Sequence, residues 1–121
     1  MPKIIIESNN NKIHAEINNS KTAKLIYNSL PLKITANLWG NEVYAEIPVK
    51  TELEPTAKEE VNIGDLGYWP PGQAFCIFFG KTPASVNERP RAASKVNIIG
   101  KVMQPEIFKK FKEEEKIKII K

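Results

Sequence analysis

A chain of 121 residues has the length of one domain, 1–121, and can bury a sizeable core without staples. Hydrophobic residues at 41% and charged residues at 26% argue against long disordered segments, and no apolar run approaches the roughly 18 residues of a membrane span. The net charge of +4 is modest and is interrupted by Glu113-Glu114-Glu115 in the most basic region, so it reads as a lysine-rich solvated surface rather than a phosphate track.

In chain order, strand signals dominate. Lys3 to Glu7 is rich in isoleucine, and after the turn-forming Asn9-Asn10-Asn11 the residues Ile13, Ala15 and Ile17 share one face, which predicts a hairpin. Asn19 and Ser20 offer caps for a short helix whose Ala23, Ile26, Tyr27 and Leu30 recur at helical spacing up to Pro31. Leu32, Ile34, Ala36 and Leu38 alternate with polar residues. Gly40-Asn41 turns the chain, and Val43, Ala45 and Ile47 alternate again, predicting a second hairpin.

Residues 51–62 show no clear period and read as a surface connection with a short edge strand near Val61. Gly64 to Gly67 is turn chemistry, Tyr68-Trp69 begins a strand, Pro70-Pro71-Gly72 turns, and Ala74 to Phe79 runs continuously apolar as a central strand does. Gly80 to Arg91 is loop-like and Lys95 to Val102 resumes a strand. Pro105 opens a second short helix holding Ile107, Phe108 and Phe111, and Lys116 to Ile120 closes as a strand. About eight strands and two short helices imply a sheet that closes on itself to avoid exposed edges, with the helices plugging its ends.

The stretches Gly64-Asp65-Leu66-Gly67-Tyr68-Trp69, Phe75 to Gly80, Ala93 to Gly100 and Glu42 to Val49 together resemble the prokaryotic cyclophilin-like domain family. The resemblance implies a mainly β fold, a closed eight-stranded cyclophilin-like barrel capped by two short helices. Isomerases of the wider cyclophilin group resemble one another in a strand arginine that donates to the prolyl nitrogen. Here the only arginines, Arg89 and Arg91, fall in a loop before a late strand, and no counterpart of the arginine-bearing motif is found.

Tyr68, Trp69 and Phe79 are candidates for an aromatic wall, while Phe75, Cys76 and Phe78 read as core. Glu42, Tyr44 and Glu46 share one strand face with carboxylates about 7 Å apart. Such a face is usually solvated, and Tyr44 is favoured as a pocket lip. Arg89 could clamp an anion, and Asn97, which interrupts an apolar strand, would orient a ligand if it faced inward. The simpler reading puts Asn97 outward with Lys95 and Lys101.

The ligand-binding candidates are therefore Tyr44, Glu46, Tyr68, Trp69, Phe79, Arg89 and Asn97. With a single cysteine, Cys76, and a single histidine, His14, no disulfide, metal site, cofactor or nucleophilic catalyst is expected. The leading expectation is a cytoplasmic barrel that binds a small molecule or extended peptide without isomerase chemistry. The alternatives are a peptidyl-prolyl isomerase with a relocated arginine and a nucleic-acid-binding barrel, the latter disfavoured by the charge pattern. An isoleucine-rich terminal strand at a sheet edge could pair across a homodimer.

Overall fold

The alternating isoleucines near the start do form a hairpin: in the computed structural model, which describes residues 2–9 and 11–121, β1 (Lys3–Ser8) pairs antiparallel with β2 (Asn11–Ile17). The register sets Ile4 opposite Ala15 and Ile6 opposite Ile13, with all four side chains buried. Of the expected Asn9-Asn10-Asn11 turn, Asn10 lies outside the described residues. Asn9 takes a φ of 52°, a left-handed conformation that asparagine tolerates better than most residues.

Helix α1 (Lys21–Ser29) starts where Ser20 accepts a hydrogen bond from the Ala23 N–H at 3.2 Å, a local bond that satisfies one orphan donor of the first turn. It buries Thr22, Ala23 and Ile26 and stops at Leu30, ahead of Pro31. The remaining strands are β3 (Leu32–Thr35), β4 (Asn37–Leu38), β5 (Glu42–Glu46), β6 (Lys58–Glu60), β7 (Asp65–Trp69), β8 (Ala74–Phe78), β9 (Arg91–Val102) and β10 (Lys116–Ile120). They form one antiparallel sheet in the order β3-β10-β1-β2-β9-β7-β8-β5-β4, with β6 added alongside β9.

The expected closed barrel of eight strands with two short helices needs correction. There are ten strands among the described residues, and no ladder joins β3 to β4 at the two ends of the path. Those ends are successive parts of one segment, 32–38, broken at Ala36. The Ala36 N–H donates to the Glu115 carbonyl and its carbonyl accepts from the Glu114 N–H, both at 2.8 Å, so the loop before β10 takes the bonds that a barrel neighbour would have used. Among the described residues only α1 is α-helical. Residues Pro70–Gly72 and Pro105–Lys110 are 3-10 turns.

Three further expectations change. β7 begins at Asp65, so 64–67 is mostly strand. β9 begins at Arg91, four residues before the expected start. The terminal strands β1 and β10 pair with each other and each has a second neighbour, so neither is an edge and neither offers a free ladder to a second copy.

The sheet buries two clusters. The larger collects Ile4, Ile13, Ile17, Ile26, Tyr68, Phe75, Ile77 and Ile119 with the rings of Phe79, Phe108 and Phe111, the last two 4.8 Å apart. The smaller lies across the opposite face of β5, β7, β8 and β9 and holds Val61, Ala74, Cys76, Phe78, Ala92 and Val96. β8 therefore sends Phe75 and Ile77 one way and Ala74, Cys76 and Phe78 the other, which is why it is apolar at every position.

Candidate functional site

The second cluster does not cover its face completely. Where it ends, Trp39, Glu42, Tyr44, Trp69, Ala92, Ala93 and Val96 enclose a pocket of about 230 Å³. Each wall has a local cause. Trp39 and Glu42 exchange backbone hydrogen bonds at 2.9 and 3.2 Å across the Gly40-Asn41 turn, which places both side chains at one end of β5. Gly40 has a φ of 61°, and a Cβ there would lie 2.8 Å from the Pro83 ring, so both the conformation and the crowding call for glycine. Tyr44 follows two residues after Glu42 and so shares its face.

Trp69 ends β7, and its indole Nε1–H donates to Ser94 Oγ of β9 at 2.6 Å. The Pro70-Pro71-Gly72 turn lets this ring lie flat, since a Cβ on Gly72 would come within 2.8 Å of Trp69 Cζ3. Across from the rings, β9 presents the small side chains of Ala92 and Ala93, and these leave the open volume.

Glu42 is the chemically distinctive member. It is 6% exposed, and its Oε1 has no hydrogen-bond partner among the described residues. Burial raises its pKa from 4.5 to about 7, opposed in part by the adjacent Cys76 thiol. The thiol is itself pushed well above its ordinary value, first by burial and then by the Glu42 charge, so Cys76 stays protonated and serves as a weak donor rather than a nucleophile. A buried carboxyl lacking one partner is uncommon, because desolvation penalises the charge and no donor among the described residues reaches that oxygen.

Of the residues expected from sequence, Tyr44 and Trp69 line this pocket together. The others are elsewhere. Glu46 is exposed at the end of β5 and outside the pocket wall. Tyr68 is fully buried in the main core, where its hydroxyl donates to the Val49 carbonyl at 2.6 Å; it faces no opening. Phe79 packs 6.2 Å from Phe108 in the same core.

Arg89 is held on the surface by Glu60 at 2.7 Å and Asn62 at 3.1 Å, Arg91 pairs with Glu59 at 3.3 Å, and neither lines the pocket. Asn97 points inward, against the simple alternation with Lys101, because the β7–β9 register slips between Leu66 and Gly67 and leaves Ile99 as an extra residue between them. Its amide accepts from the Glu54 N–H at 2.8 Å and donates to the Glu52 carbonyl at 2.9 Å and Thr22 Oγ1 at 3.0 Å, pinning the 51–57 loop to α1. These bonds occupy it structurally.

Trp39, Ala92, Ala93 and Val96 are not singled out by the sequence, and Glu42 reads there as part of a face with Tyr44 and Glu46 that could converge on a ligand but is usually solvated. The spacing Glu42-x-Tyr44 carried the available signal, with Trp39 just before the turn. Among the described residues no group of three or more His, Cys, Asp or Glu could hold a metal ion, and no helix is long and apolar enough to cross a membrane.

Against known proteins, the family model described as cyclophilin-like matches residues 2–120. The chain is also similar to the solution structure of a hypothetical protein from Archaeoglobus fulgidus, at 35% identity and a TM-score of 0.81, over 98% of this chain and 92% of the other. No curated protein matches the sequence. The match over almost the whole length, on a sheet of the same architecture, makes this chain a member of the cyclophilin-like family.

Proposed function

We propose that the protein is a binding domain that takes a small molecule, or one side chain of an extended peptide, into the pocket between Trp39, Tyr44 and Trp69. The observation that carries this reading is the company those rings keep: half-buried aromatics around a buried carboxyl with an unpartnered oxygen, on a sheet face where side chains are otherwise solvated or packed. At about 230 Å³ the pocket lies below the roughly 300 Å³ at which drug-sized ligands begin to fit. Its occupant is therefore a compact molecule or a head group. A single, buried, unpaired cysteine suits the reducing cytoplasm.

The chain has two tryptophans and both line the pocket, so tryptophan emission reports on this site alone. A fragment set screened by that emission should yield ligands whose effect disappears in Tyr44→Ala and weakens strongly in Trp69→Ala. Fragments that bind without altering the emission would refute the location. Isomerase chemistry is not part of the reading, because both arginines are engaged by carboxylates outside the pocket. NMR exchange spectra of an Ala-Pro peptide should show no acceleration; acceleration abolished by Arg89→Ala would overturn this point.

A further inference from the structure

We infer that the pocket recognises a donor-bearing organic cation, a primary or secondary ammonium or an amidinium, which Glu42 receives on its unpartnered Oε1 while Trp39, Tyr44 and Trp69 pack around it. The inference rests on the pocket reading above and adds the chemical class of the ligand.

Three features converge on it. Glu42 is more than nine-tenths buried, and the acceptor Oε1 lacks a donor among the described residues, so a ligand bearing N–H groups would supply what the chain does not. The walls are three electron-rich rings, and aromatic faces attract cations while rejecting anions. Among the described residues no cation of the protein competes, since Arg89 and Arg91 are paired elsewhere and β9 contributes only Ala92, Ala93 and Val96 to the wall. A quaternary ammonium would satisfy the rings but not the oxygen, having no N–H to give.

Protonation follows from the same arrangement. The titratable groups facing Glu42 are Cys76 from β8 and Tyr44 from its own strand, and burial keeps the Cys76 thiol neutral. With its pKa at about 7, the free carboxyl is largely neutral below that pH and ionised above it. A cation therefore binds best above pH 7 and progressively less tightly below it.

The test uses three probes of one shape: benzylammonium, benzyl alcohol and benzyltrimethylammonium, followed through the Trp39 and Trp69 indole N–H signals. Benzylammonium should move both signals and bind at least tenfold more tightly than the other two, as expected for a charge-assisted hydrogen bond. Its affinity should fall at least tenfold between pH 8 and pH 5. Glu42→Gln should remove both the preference and the pH dependence, with amide dispersion showing that the variant is folded. The wild-type pH series stands as evidence without the variant. Equal affinity for benzyl alcohol and benzylammonium, or a flat pH series, overturns the cation inference and leaves the pocket reading intact. Failure of all three probes to move either indole overturns both.

Discussion

Replacing Glu42 with glutamine should stabilise the protein at pH 8.5 and leave it nearly unchanged at pH 4.5. In the unfolded chain the carboxyl ionises near 4.5; in the fold, burial moves this to about 7. Between those values the folded protein holds a proton that the unfolded chain has released, so stability falls as pH rises through this interval and the whole penalty is present above pH 7. At about 1.4 kcal/mol for each pH unit, the penalty reaches roughly 3 kcal/mol. The carboxamide keeps the shape and removes the charge, so the variant should avoid most of that loss.

In a domain of this size the gain corresponds to a rise in Tm of roughly 10 °C at pH 8.5. Urea titrations of both proteins at pH 4.5, 7 and 8.5, with equal m-values, measure the difference directly, and the other titrating groups cancel in the comparison. A difference that is constant across pH, or a variant less stable at pH 8.5, would refute the reasoning by showing that Glu42 is ionised in the fold without cost.

Asn97→Leu removes three hydrogen bonds that fasten the 51–57 loop, and at about 1 kcal/mol each it should destabilise by roughly 3 kcal/mol in urea titration, with faster amide exchange at Glu54. Gly100→Ala should cost about 3 kcal/mol or more, because its Cβ would lie 2.1 Å from the Glu16 carbonyl oxygen and 2.8 Å from Ile17 Cα, backbone atoms that cannot turn aside; a Tm near wild type would show that β2 and β9 can separate locally. Arg89→Ala breaks an exposed pair with Glu60 and should change stability by less than about 1 kcal/mol while leaving fragment affinity unaltered. Lost affinity in that variant would bring the 80–90 loop into the site.

Much of the fold was readable because the sheet's main face follows simple alternation. Ile4, Ile6, Ile13, Ala15 and Ile17 all point where a period of two puts them, and the unbroken run Ala74 to Phe78 correctly indicated a strand covered on both sides. What covers the second side was not readable. Val61 and Ala92 come from stretches without period, and only their packing across β8 turns the outer face of β5 from a solvated surface into a half-enclosed one. Glu42-x-Tyr44-x-Glu46 looks polar throughout, yet Glu42 is buried and Glu46 is exposed because the cover ends between them. The inward turn of Asn97 was hidden because the expected alternation with Lys101 is broken by a bulge at Ile99, and nothing in the local sequence marks it. The expected closed barrel gave way to an open sheet because one segment supplies both ends of the strand path, which a count of strands cannot show.

The position of Glu42 separates what the fold needs from what the site needs. Its neighbours on β5, Val43 and Ala45, face the main core and are apolar, as packing requires. Glu42 faces the small cluster, opposite Phe78 and against Cys76, where an apolar side chain would serve the fold better than a carboxyl with an unpartnered oxygen. Asn97 and Asp65 are buried polar groups too, but each is engaged within the chain, Asn97 by three partners and Asp65 by the Asn62 N–H. They are explained by the loops they hold. Glu42 holds no loop, and the groups around it are two indoles, a phenol and a thiol. A carboxyl that costs the fold stability and meets only rings and a weak donor is what the proposed cationic ligand would account for.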